Sequence, residues 1–210
     1  MYLGPEFTSE ECLHAIEHSN IAEPGKLAWT KLSDVVQQTA DLLAGGAPVA
    51  WFHGRMEFGP RALGGRSILG CPSSDGIADV INEQIKFRER WRPFCPSMAD
   101  TVAADVLQTD HDAPYMTITF DVNPAWKDRI PEVVHEDGTA RAQVVRQHQS
   151  PRYYELLMAM EQRTGNAVLL NTSLNRRGEP MVCSPQDALN MFVGCDLEYL
   201  VLEDWLVTKQ

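Results

Sequence analysis

The sequence predicts an α/β fold built on one mixed sheet, and three observations predict it. Stretches with helical period alternate with short apolar runs of strand length, as in "VVQQTADLLA" then "PVAWF", and later "PRYYELLMAMEQRT" then "AVLLNTS". Glycine, proline, serine and aspartate fall between these runs and mark turns at strand ends. The chain has 210 residues and 44% hydrophobic composition, enough for the full core of a single domain.

Residues 8–19 read as a helix. Thr8 or Ser9 starts it, Glu10 and Glu11 follow, and Cys12, Leu13 and Ile16 share a face. "AEPGK" then breaks the chain at Pro24 and Gly25, so residues 1–30 are expected as an N-terminal helix and linker segment ahead of a domain at 31–210. A second helix is expected from Ser33 to Leu43, closed by Gly45 and Gly46, and "PVAWFHG" reads as a buried strand. A helix from Gly76 to Ile85 would deliver the basic stretch "IKFRERWRPF" at its C-terminal end, where cations are favoured.

"YMTITFDV" alternates like a strand, and "AQVVRQ" is a second strand candidate after the turn "EDGT". Residues 151–164 form a helix from Pro151 to the stop at Gly165, and "AVLLNTS" is an apolar strand with a polar end. Ser184 caps a helix with Pro185 in its first turn, and "LEYLVLEDWLV" supplies one or two strands.

Bulk properties restrict function. A net charge of -11 disfavours a protein that coats DNA or an anionic membrane, so any anion site must be local. Five scattered cysteines without a C-x-x-C pair argue against a disulfide framework or a zinc knuckle. No apolar run approaches the roughly 20 residues of a membrane span, and the N-terminus lacks signal-peptide order, so a cytoplasmic location is expected. His14 and His18 are spaced for one helix face but lack a third ligand, and no nucleophile triad is evident.

Three stretches could carry chemistry. "GRMEFGPRALGGRSILG" combines glycines with Arg55, Arg61 and Arg66, planar forks suited to bidentate phosphate contact; pairing of these arginines with Glu57 and other carboxylates would explain it as well. It lacks the Lys-Ser or Lys-Thr of a P-loop. In "KFRERWRPF", extended backbone would align Lys86, Arg88, Arg90 and Arg92 as a cationic rail, while a solvated face paired with Glu83 and Glu89 is the alternative. "LLNTSLNRRGEP" gathers Asn171, Thr172, Ser173 and Asn175 at a strand end, where α/β sheets place ligand groups and where turns also need such residues. Arg141 follows the "EDGT" turn. This inventory suits the positioning and neutralising of charged oxygens.

Taken together, "MEFGPRALGGRSILG", "INEQIKFRERWRPFCPS", "HEDGTARAQVV", "LLNTSLNRRGEPMV" and "DLEYLVLEDWLV" resemble the C-terminal domain of the antibiotic and nodulation-factor O-carbamoyltransferases, in the family's order, from about residue 45 to the end. The resemblance implies a YrdC-like twisted mixed sheet with flanking helices. It implies a domain that converts carbamoyl phosphate and ATP, with Mg2+, into carbamoyl adenylate by way of carbamate, for transfer to a hydroxyl of a natural product or sugar. Members also carry an N-terminal carbamoyl-transfer domain, which is the implied partner and does not resemble any part of this chain. Double-stranded nucleic acid, which some YrdC-like proteins suggest as a partner, is the weakest reading because of the net charge of -11, and no membrane partner is expected.

The YrdC-like K-x-R and S-x-N signatures map to Lys86 and Arg88, and to Ser173 and Asn175; the carbamoyltransferase motifs add Arg61, Arg92, Arg141 and Asn171. The expected roles are Lys86, Arg88 and Arg92 on carbamoyl phosphate, Asn171 and Ser173 on the carbamoyl group, and Arg61 and Arg141 on the nucleotide, with Arg55, Arg66 and Asn175 in support. Gly65 stands where the family's loop has asparagine. The alternatives are a non-catalytic nucleotide-binding or docking module and a threonylcarbamoyl-adenylate synthase-like enzyme.

Overall fold

Short apolar runs cannot bury both faces alone, and here they do so by lying side by side. The computed structural model describes residues 1–19 and 27–210. The expected break at Pro24 and Gly25 lies outside the described residues. In chain order the strands are β1 (Leu27–Lys31), β2 (Val49–Phe52), β3 (Arg66–Gly70), β4 (Cys95–Ala99), β5 (Phe120–Asp121), β6 (Thr139–Ala140), β7 (Gln143–Val145), β8 (Val168–Ser173), β9 (Tyr199–Leu202) and β10 (Trp205–Lys209). Eight of them form one sheet in the order β1-β10-β9-β2-β3-β8-β4-β7. The pairs β2/β9 and β4/β7 are parallel and the others antiparallel, so the sheet is mixed as expected.

Helices cover both faces. On one side α2 (Val35–Ala44) and α6 (Pro151–Thr164) pack together over Val49, Trp51, Leu69, Leu169 and Val201. On the other, α1 (Ser9–Glu17), α4 (Asp100–Leu107) and α7 (Pro185–Val193) share a core with Ala50, Phe52, Ile68 and Leu170. Alternation along β2 and β8 divides their residues between the two cores, as a period of two requires. Truncating a side chain such as fully buried Leu169 to alanine would cost about 2–5 kcal/mol.

The helix ends follow their capping residues. Thr8 forms a capping box with Glu11, and Ser184 forms one with Asp187. Gly165 closes α6 at φ 77°.

Several expectations are corrected. Of the two readings of residues 1–30, linker or segment packed on the sheet, the described residues show packing: Cys12, Ile16 and Leu27 lie in the common core, and β1 pairs along its length with β10. "YMTITFDV" yields only the two residues of β5, which pair with β6 in a separate small sheet after Met116 turns with φ 55°. The helix expected from Gly76 to Ile85 is α3 (Ile77–Val80) followed by a wider turn at Ile81–Ile85, closed by Lys86 N–H to the Ile81 carbonyl at 2.8 Å. Strands β1, β3 and β4 and helix α4 were not expected. The short helix α5 (Pro124–Lys127) completes the set.

Candidate active site

The wide turn at Ile81–Ile85 decides the fate of the basic stretch. Lys86 follows it in helical conformation and Phe87 turns at φ 48°, so the stretch is bent rather than extended. The expected rail does not form. Lys86 points inward at 5% exposure, Arg88 lies half-buried over the face of Phe94, and Arg90 is exposed and paired with Glu83. Arg92 is exposed and paired with Glu89 at 3.2 Å. Asn82, fully buried, organises this turn by donating to the carbonyls of Arg90 and Arg92 and accepting from Arg88 Nε at 2.5 Å.

Lys86 meets the polar end of β8. Its Nζ donates to the Ser173 carbonyl at 2.7 Å, the Asn175 carbonyl at 2.9 Å and Asn175 Oδ1 at 2.5 Å, with Ser173 Oγ at 3.2 Å. The K-x-R and S-x-N segments are thus joined by one ammonium. Burial, reinforced by the charge of Arg88, pushes Lys86 down to about 7. Burial also lowers Arg88 from its ordinary value, with Arg92 adding like-charge repulsion.

Beside this junction lies a cleft of about 470 Å³, open mouth included, that no single segment forms. Arg61, Arg88 and Arg141 supply its charge, while Asn171, Thr172 and Ser173 supply neutral donors and acceptors. Pro60, Pro93, Phe94 and Met116 make the rest largely apolar. Arg141 reaches it from the loop between β6 and β7, where Nη2 contacts Cys95 Sγ at 3.2 Å. Asn171 is 2% exposed; its amide nitrogen donates to the Ala62 carbonyl at 3.2 Å and to Ser97 Oγ at 2.9 Å, and its Oδ1 has no partner among the described residues. Three cationic forks around a partly desolvated hollow have the charge and donors that suit an anion with several oxygens.

Of the residues singled out in the sequence, Arg61, Arg88, Arg141, Asn171 and Ser173 line this cleft, and Lys86 and Asn175 stand behind Ser173. Three others stand elsewhere. Arg92 is near enough to Arg88 to repel it but does not line the cleft. Arg55 lines a separate cavity with His53, Gly65 and Arg152, and bonds the Gly4 carbonyl and Glu6. Arg66 is fully buried: its guanidinium donates to the carbonyls of Pro5, His53, Gly54 and Gly65 and lies over the Phe52 ring. Its terminal nitrogens are occupied by these carbonyls and the side chain does not line the cleft, which corrects its expected place among the phosphate contacts.

Sequence reasoning missed Cys95, Met116, Asn82, Gln143 and Ser97. Each is a common residue type whose importance comes from a neighbour distant in sequence, such as Ser97 with Gln143 at 2.7 Å. The one usable signal was Pro93 and Pro96 around Cys95, which marked extended backbone but not a cleft wall.

With the geometry established, similarity to known proteins is informative. Residues 40–209 match the family described as Carbamoyltransferase C-terminus. Nodulation protein NolNO of Sinorhizobium fredii is 38% identical over 100% of this chain and 31% of its own length. The chain spans 31% to 38% of the length of such curated relatives. Among solved structures, full-length HypF in its phosphate- and nucleotide-bound form superposes with a TM-score of 0.51 at 14% identity, covering 88% of this chain and 22% of HypF. P. abyssi Sua5 superposes with a TM-score of 0.55 at 14% identity, covering 80% of this chain and 48% of Sua5. These likenesses carry the fold alone, and it is the YrdC-like fold that the resemblance implied. The match over most of the domain, together with a relative aligned along the whole chain, places this protein in the carbamoyltransferase C-terminal family.

Proposed function

We propose that this domain forms carbamoyl adenylate from carbamoyl phosphate and ATP, and that a further domain of the kind its longer relatives contain transfers the carbamoyl group to a hydroxyl. The observation that carries the reading is the convergence of Arg61, Arg88 and Arg141 with Asn171 and Ser173 on one cleft. HypF, of the same fold, has been solved with phosphate and nucleotide bound, which fits such a cleft.

Two balanced steps are required. Water adds at the carbonyl carbon of carbamoyl phosphate, the bond to the phosphate oxygen breaks, and carbamate and phosphate result. A carbamate oxygen then attacks the α-phosphorus of ATP and expels pyrophosphate. Both steps bring anions together, so their transition states depend on fixed cations that need no reorganisation. In this reading Arg88 meets the phosphoryl oxygens of carbamoyl phosphate, Arg61 and Arg141 meet the nucleotide phosphates, and Asn171 with Ser173 orients the carbamoyl group. Lys86, whose protons are held by Ser173 and Asn175, fixes the floor.

Among the described residues no group of three or more His, Cys, Asp or Glu could hold a metal ion. Magnesium would enter on the nucleotide phosphates.

Incubation of the chain with carbamoyl phosphate, ATP and magnesium, each omitted in turn, tests the reading. Pyrophosphate is expected only from the complete mixture, whereas phosphate needs only the carbamoyl phosphate consumed in the first step. ATP binding without pyrophosphate release from any mixture would favour a binding module instead.

Lys86 adds a pH dependence. With its value about 7 in the folded protein, the free enzyme loses the ammonium as pH rises through that point. The kcat/KM for pyrophosphate release is expected to fall about tenfold per pH unit above it. A Lys86→Met chain should lose this limb along with much of its rate. Stability moves the other way: the folded value lies below the unfolded 10.5, so a penalty present in full below about pH 7 is relieved between 7 and 10.5.

A further inference from the structure

The loop that carries Arg61 is folded around a carboxylate that the proposed chemistry does not use. Glu57 is 3% exposed, and its Oε1 accepts the backbone N–H groups of Leu63 at 2.6 Å, Gly65 at 2.7 Å and Arg66 at 3.2 Å. The loop's carbonyls turn the opposite way, onto neutral donors. Ala62 accepts from Asn171 at 3.2 Å, Leu63 from Gln143 at 2.9 Å and from Tyr2 at 2.7 Å, and Gly64 from Trp51 Nε1 at 2.9 Å.

Arg61 sits between these anchors, four residues after the carboxylate and two before the first amide it gathers. A buried carboxylate without compensation costs several kcal/mol. Here three amides converging on Oε1 and the nearby Arg66 cation compensate the charge, while Oε2 has no hydrogen-bond partner among the described residues, and the amides converge only in this loop conformation. Opening the loop would break the three bonds that Oε1 accepts. The carboxylate therefore biases the chain toward the geometry in which Pro60, Arg61 and Ala62 form the cleft wall.

We propose that Glu57 is a positioning residue, whose carboxylate holds the 57–66 loop in shape and so places Arg61 at the cleft. The claim rests on the proposed function for its consequence in catalysis, though not for the loop order itself.

The experiment compares wild type, Glu57→Gln, Glu57→Ala, Arg61→Ala and the Glu57→Ala/Arg61→Ala double variant by calorimetric ATP binding and by amide exchange at Leu63 and Gly65, with circular dichroism as the check on folding. Glu57→Ala and Arg61→Ala are each expected to weaken ATP binding about tenfold, and the double variant should bind no more weakly than Arg61→Ala, because the two act through one contact. Glu57→Gln, which keeps an acceptor oxygen, should bind within about threefold of wild type. A folded Glu57→Ala chain that binds ATP like wild type would overturn the proposal, and so would a double variant whose loss is the product of the single losses.

Failure of every chain to bind ATP, wild type included, would sink the nucleotide reading of the cleft, and amide exchange then decides for Glu57 alone. Exchange at Leu63 and Gly65 about a hundredfold faster than wild type, with the sheet unchanged, supports it; unchanged protection overturns it. Should Glu57→Ala not fold, Glu57→Asp replaces it under the same criteria.

Discussion

An Arg88→Ala chain is expected to release pyrophosphate from carbamoyl phosphate and ATP roughly 100- to 1000-fold more slowly than wild type, the usual loss when one fixed donor to developing charge is removed. Arg88 is the cation held most tightly at the cleft: Asn82 accepts from its Nε at 2.5 Å, Phe94 lies beneath its plane, and its terminal nitrogens are left for a ligand. Arg88→Lys should recover little, because a lysine ammonium cannot both bond Asn82 and present a planar fork. Arg92→Ala is the informative contrast. That side chain is exposed and paired with Glu89, so its loss should change turnover by only severalfold. Steady-state pyrophosphate release by the three variants checks the ordering, and equal losses for Arg88→Ala and Arg92→Ala would show that the cleft is not where the charge is needed.

Gly64→Ala is expected to lower stability by about 2–5 kcal/mol, the sum of about 1–2 kcal/mol for backbone strain and 1–3 kcal/mol for overpacking. Gly64 has φ 101°, and a Cβ there would lie 2.6 Å from Cε1 and Cγ of the fully buried Tyr153 ring. That ring is fixed by the core between α2 and α6 and cannot swing aside. Thermal unfolding should shift down by roughly 10 °C for a chain of this size. Gly165→Ala separates the two contributions: its φ is 77° with nothing within 4 Å of an added Cβ, so only backbone strain of about 1 kcal/mol should appear. Equal shifts for the two variants would place the whole effect in the backbone.

How far the fold could be read from sequence depended on where each element's partner lay. Helices α1, α2, α6 and α7 were legible because their caps, periodic apolar positions and glycine stops are all local. Strands β2 and β8 were legible as apolar runs buried on both faces. Strand β3 was not, because it opens with "RS", and an arginine inside a sheet makes sense only when carbonyls from Pro5, His53 and Gly54 converge on it. "YMTITFDV" failed in the opposite direction. It has strand alternation, yet Met116 turns at φ 55° and only Phe120 and Asp121 pair, with β6, because a pattern becomes a strand only where the tertiary context supplies a partner.

The candidate site divides in the same way. Chain chemistry alone singled out the arginines of two loops, the lysine of the basic stretch and the amides at the end of "LLNTS", because several charged or polar groups in short, glycine- or proline-bounded stretches are hard to explain by a core. Which of those groups face one another was decided by tertiary structure. The wide turn after α3 sent Lys86 inward and Arg90 outward, and the carbonyls around Phe52 claimed Arg66. A side chain's type and local spacing are written in the sequence, and they determined the helices, the main apolar strands and the kind of ligand sought. Its direction and its free donors depend on backbone turns and on partners far along the chain, so only the packed structure could assign Arg61, Arg88 and Arg141 to one cleft and Arg66 to the core.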